Sequence, residues 1–183
     1  MQFSTILPVV FFLVASTLAT PFPLPRHANV SAQVKANVSA QIDKWLSDIE
    51  SVNIFVDTVG SVKDTAKISS MAATAFVAAQ NEGASNTILQ LDVTLDASGQ
   101  AAAQELVGQF NIIGPAINDT ISNPGNLQKN LDAINGARCP PPQGADAISQ
   151  EGDVQAAAAA AVGINVSPPQ TPCACSAAAA ATN

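Results

Sequence analysis

Histidine occurs once in this chain, at position 27, so a single imidazole is on offer as a general base. It follows Pro21, Pro23 and Pro25, whose locked backbone makes an extended leader that cannot join a helix. A catalytic base has to be held rigidly, so His27 is expected to be a solvated terminal residue. No nucleophile elbow, dinucleotide-binding turn, phosphate-binding loop or His-Glu-x-x-His pair is present. The chain therefore reads as non-enzymatic.

Carboxylates alone can serve glycosidases and calcium sites, and two groupings stand out. Asp43, Glu50, Asp57 and Asp64 recur every seven residues. Seven helical residues rise about 10.5 Å, too far for neighbours to share an ion, so they read as a solvated stripe. Asp92 and Asp96 are one turn apart on one predicted helix face, with Glu105 following. Their spacing does not fit a twelve-residue calcium loop. They are the only candidates for an acid-only active site.

The three cysteines are Cys139, Cys173 and Cys175. Cys173 and Cys175 could pair only in a small strained ring, whereas Cys139 with either closes a loop of thirty-odd residues. Such a closure contributes on the order of 3 kcal/mol in the loop-entropy picture. One thiol is left over, unpaired or available to another chain. Three thiolates without a nearby histidine make an incomplete zinc shell, so neither a metal nor a cofactor is expected.

The elements that must position these residues are helical. Val30, Val34, Val38, Ile42, Trp45, Ile49, Val52, Val56 and Val59 recur at intervals of three or four and predict one long helix ending near Gly60. A second pattern, from Ile68 through Ala79, meets Gly83 as its stop. A third, capped by Ser85, carries Ile88, Leu91 and Leu95 to Ser98-Gly99. The alternation from Leu89 to Leu95 is the one strand-like signal, and it has no hairpin partner. A fourth helix, from Ala103 to Ile113, meets Gly114-Pro115, where a kink is expected. Asn123-Pro124 looks like an N-cap and first-turn proline launching a short helix through Leu127, Leu131 and Ile134. Pro140-Pro141-Pro142 marks a stiff connector, and a last helix runs from about Asp146 to Val162, stopped by Gly163. The expected fold is all-α: a bundle of five or six helices with a long first helix, an extended N-terminal leader and an irregular Pro/Ala-rich C-terminal tail.

The apolar run from Ile6 to Leu18, with Thr17 and Ala19 at the −3 and −1 positions, reads as a secretory signal over residues 1–19. It is too short to span a bilayer as a stop-transfer helix. Residues 20–28 form the leader, 29–163 a single helical domain and 164–183 a Pro/Ala/Cys tail. Removing 19 of 183 residues leaves 164, enough for one self-sufficient core. Export is supported by acceptor tripeptides for N-glycans at Asn29, Asn37 and Asn118, which requires Asn37 and Asn118 to be exposed. A fourth, at Asn165, is spoiled by Pro168. All charged residues lie beyond the signal, so the net charge of −7 belongs to the exported part and disfavours nucleic acid as a partner.

An exported sequence whose signal ends in Ala19-Thr20-Pro21, followed over residues 30–135 by an Ala-, Ser-, Val- and Asp-rich helical body almost free of Tyr and His, resembles small secreted fungal proteins. The group in question is that of hydrophobic-surface-binding protein A and the cell-wall galactomannoproteins. The segment from Asp132 to Cys139 also resembles one found in fungal secreted proteins, where Arg-Cys near a helix end precedes a last amphipathic helix. The cysteines and the Pro-rich tail after Val166 depart from the surface-binding pattern. The resemblance implies an extracellular or wall location and a surface-binding role, and it carries over no catalytic residue.

Two functions follow as expectations. The first is a secreted, glycosylated helical protein that adsorbs to a hydrophobic surface, lipid or cell-wall polymer through Val30, Val34, Val38, Ile42, Trp45, Ile49 and Val52, with no transmembrane span. The second is a secreted interaction protein or effector that binds a host or microbial protein through a closed, folded surface.

Overall fold

The computed structural model describes residues 30–176, so the signal, the leader with His27, the Asn29 acceptor and the run Ala177 to Ala181 lie outside the described residues. Among the described residues 81% are helical and none is in a strand.

The first helix, α1 (Ala32–Thr58), starts where the Ser31 hydroxyl accepts from the Val34 N–H at 3.2 Å. A 3-10 turn over Val59–Ser61 ends it, and Asp64 opens α2 (Thr65–Asp92) by accepting from the amides of Ala66 and Lys67. Asp64 is therefore a cap rather than a member of a solvated stripe on the first helix. Gly83 does not stop this helix, and the second and third predicted helices are one. Gly83 lies in mid-helix facing Phe110 of the next helix, where even a Cβ would sit at an ordinary 3.7 Å. Ser85 caps nothing; it is buried in mid-helix and its hydroxyl accepts from Gln41 of α1 at 2.6 Å. The strand-like Leu89 to Leu95 is divided between the end of α2 and an extended link.

Asp96 opens α3 (Ala97–Ser122) by accepting from the Gly99 N–H at 2.8 Å. Pro115 is accommodated inside this helix, which continues unbroken to Ser122. Pro124 starts a 3-10 turn, Pro124–Asn126, that leads into α4 (Leu127–Arg138). Asn123 holds the N-cap position with Pro124 in the first turn, as expected, but its side chain makes no capping bond and its amide donates to Asp119. After the proline-rich break, α5 (Ala147–Val162) runs to Gly163, whose left-handed φ of 71° suits a residue without a Cβ.

Cross-links between helices give the topology. Gln41 meets Ser85 and Asp48 meets Asn81, so α1 and α2 are antiparallel. Asn86 donates to the Ala103 carbonyl, which sets α2 against α3 in the same way. The N-terminal half of α3 packs on α5, with Gly99 against Ala157 and Glu105 bonded to Gln150. Its C-terminal half packs on α4 through Thr120 and Asn130. Helices α4 and α5 thus run in the same direction, end to end, as the two pieces of a fourth rod broken at residues 139–146. The result is an up-down-up-down bundle of four rods.

Alanine makes the interior narrow. Ala72, Ala75, Ala102, Ala103 and Ala158 line the rods, while Trp45, Ile42, Ile49, Leu89, Leu106, Ile113, Ile117 and Ile134 supply the bulk. Gly99 lies so close to Ala157 that a Cβ there would overlap the alanine methyl.

The long first helix is one of three of similar length, since α1, α2 and α3 have 27, 28 and 26 residues. Its seam is covered. Val38, Ile42, Trp45, Ile49 and Val52 are at most 1% exposed, and Val30 and Val34 are half-buried against the same core. In the folded chain five of these seven residues are core and the other two pack against it, so the seam faces inward. The physical reason is that α2 and α5 bury the seam as the bundle closes.

Candidate functional site

Two features stand apart from ordinary bundle packing. One is a polar network buried at the break in the fourth rod. Arg138, the last residue of α4, is fully buried, and its Nη1 donates to both oxygens of Glu82 on α2 at 3.1 and 3.3 Å. Its Nη2 donates to Asn53 Oδ1 on α1 at 2.9 Å, and Asn53 Nδ2 donates to the Gln170 carbonyl in the tail at 2.7 Å. Glu151, one turn into α5, is equally buried and receives no hydrogen bond from an N–H or hydroxyl donor. Its carboxyl lies against those of Glu82 and against the indole of Trp45. Gln155, one turn further along the same face, is buried with both amide atoms unpartnered.

The electrostatics follow from this burial. Desolvation raises the Glu82 carboxyl, opposed by the Arg138 guanidinium and by the Glu151 contact. Glu151 is pushed well up, first by desolvation and then by the charge on Glu82, with Arg138 opposing. Two carboxyls facing one guanidinium in a dry site cannot both ionise cheaply. Both carboxyls are therefore raised, Glu151 the more strongly, with Arg138 favouring the charged form of each.

The second feature is the outer side of α2. Ala73, Val77, Ala84, Ile88 and Leu91 fall on one side of the helix by their spacing, and all are exposed, Val77 by 57% and Leu91 by 81%. From Ile68 to Leu91 the one charged residue is Glu82, which points inward. On the adjoining α3, Glu105 is the one charge from Ala97 to Asn118, and Val107 is 55% exposed. Phe110, half-buried over Gly83, joins the two helices beside this face.

The remaining sequence candidates are placed as follows. Cys139 and Cys175 form the disulfide, with Cα atoms 5.3 Å apart, and Cys173 is free and exposed. Asp57 holds the same tail by accepting from the amides of Cys173 and Ala174 at 3.0 and 2.7 Å. Asn37 and Asn118 are exposed on α1 and α3, as glycan acceptors require. Asp92 and Asp96 do not share a helix face. Asp92 ends α2 and Asp96 caps α3, because the helix breaks between them, so the single helix face expected to carry both acids is absent. Among the described residues no group of His, Cys, Asp and Glu could hold a metal ion. No described helix is long and apolar enough to cross a membrane.

Neither Glu82 nor Glu151 is among the residues that periodicity singles out, although a signal exists. Each is a lone charge at a core position: Glu82 between Ala79 and Asn86, Glu151 between Ile148 and Val154. No protein-family model, curated protein or solved structure matches the chain.

Proposed function

We propose that this is a secreted, non-enzymatic helical protein that adsorbs to hydrophobic surfaces, with the outer side of α2 as its contact face. The observation that supports this reading is the charge-free band around Val77, Ile88 and Leu91. Single exposed apolar residues are commonplace, but several on one helix face that carries no charge of its own between Ile68 and Leu91 suit an apolar surface better than a charged or strongly hydrated one. The acidic residues of α1, among them Asp43, Glu50 and Asp57, are exposed on a different helix. Adsorption through α2 needs no unfolding, unlike adsorption through the α1 seam. The disulfide and the glycan acceptors on exposed positions accord with an extracellular or wall location.

The test is depletion from solution by hydrophobic beads, comparing the wild type with Ile88→Lys/Leu91→Lys. Both positions are exposed, so the variant should keep the wild-type urea midpoint. The wild type is expected to be depleted and the variant to stay in solution. Equal depletion of both, or no depletion of the wild type, would overturn the reading. Saturable capture by a protein with no loss to beads would favour the interaction-protein alternative.

A further inference from the structure

We propose that Glu82 and Glu151 form a proton-held latch: one proton shared between their carboxyls keeps α5 closed over Trp45, and its loss as pH rises loosens the bundle. The geometry carries this. Three of the four rods bring a part to the same dry spot, Trp45 and Asn53 from α1, Glu82 from α2, and Arg138 and Glu151 from the two pieces of the broken fourth rod. One guanidinium cannot neutralise two carboxylates, and Glu151 has no other donor. The site is therefore balanced only while one carboxyl is protonated, and the proton belongs to the pair.

The surrounding charges do not supply an alternative. From α1, Asp48 faces Glu82 and opposes its ionisation, although Lys44 and Asn81 both bond Asp48. Of the two cations on α4, Arg138 faces Glu82, while Lys129 acts on Asp119. On α3, Glu105 is exposed and occupied by Gln150 of α5. The tail contributes the Gln170 carbonyl, which is neutral and taken by Asn53.

The direction of the effect is set by linkage. An acid raised in the folded state binds its proton there while the unfolded chain, with an ordinary glutamate value of 4.5, has already lost it. Folding then takes up a proton, so the latch contributes fully below about pH 4.5 and its contribution falls as pH rises towards the raised value. For one proton the unfolding constant grows about tenfold per pH unit across that window. Opening would uncover Trp45, Ile49 and Val52, a second apolar surface independent of the α2 face. This inference does not rest on the adsorption reading.

The experiment is urea unfolding of the disulfide-intact exported chain at several pH values from 4.5 to 8, followed by fluorescence of Trp45, the single tryptophan. Wild type and Glu151→Gln are compared, which also cancels any contribution from His27. The wild type is expected to lose stability with the one-proton slope, and the variant to lose that slope. A flat wild-type profile, or the same slope in both proteins, would overturn the latch. Should the variant fail to fold, infrared spectroscopy of the wild type decides. A protonated-carboxyl band is expected at neutral pH in the folded protein and should vanish on thermal unfolding; its absence from the folded protein would overturn the proposal.

Discussion

Arg138 and Glu82, both without solvent contact, meet at 3.1 Å across the middle of the bundle, and this pair joins the break in the fourth rod to α2. Removing one member leaves the other charged and dry. Arg138→Met alone is expected to cost about 3–5 kcal/mol, whereas Glu82→Leu with Arg138→Met together should cost much less. Urea denaturation of the two single variants and the double variant checks this, and additive losses would contradict it.

Gly99 marks a close approach of α3 to α5, its position being barred to any Cβ by the Ala157 methyl and flanked by Asp96 and Leu95. Gly99→Ala is expected to destabilise by about 1–3 kcal/mol through overpacking, despite the better helix propensity of alanine. Ala157→Gly in the same molecule should recover part of the loss. A stabilised Gly99→Ala protein would show that the helices can move apart freely.

The Cys139–Cys175 bond spans 36 residues of sequence. Cys175→Ser is expected to cost about 3–4 kcal/mol on the loop-entropy account. It should also speed hydrogen exchange at the Cys173 and Ala174 amides, whose acceptor is Asp57. Without reductant, a maleimide should label one thiol in the native protein, Cys173, because it is exposed and unbonded.

Asp119 collects the side-chain amides of Asn130, Asn126 and Asn123, and these hydrogen bonds lower its carboxyl from 3.8 to about 2. Such a group stabilises the fold above the ordinary carboxylate value, and that contribution is lost as pH falls through 3.8 towards about 2. Asp96, lowered by the Gly99 amide and the Ser98 hydroxyl, acts in the same direction. An NMR titration should place Asp119 near 2 in the wild type. Asn130→Ala should move it back upwards.

Periodicity made the helical class legible, because aliphatic spacing survives folding: the α1 seam from Val38 to Val52 is the core face. Caps were legible where one residue decides them, as at Gly163. Gly83 misleads because a glycine stop is a local preference, and the buried face of α2 continues past it through Ser85, Asn86 and Leu89. Asp92 and Asp96 mislead for the opposite reason. Asp96 is an N-cap, and its capping bond to Gly99 requires the break that separates the two acids. Which face of α1 would meet a partner was not legible, since a regular apolar seam looks the same whether neighbours or a surface cover it. The Arg138 network was hidden because its members are distant in sequence and meet only when α4 and α5 align.

The tail from Gly163 to Pro172 has no regular structure and is largely open to solvent, yet it lies inside the loop closed by sulfur. A protease that nicks it therefore produces two fragments that remain one molecule, with Cys175 still fastened to Cys139 and Asp57 still gripping the amides beside it. The cut chain would migrate as a single species until a reducing agent separates the pieces.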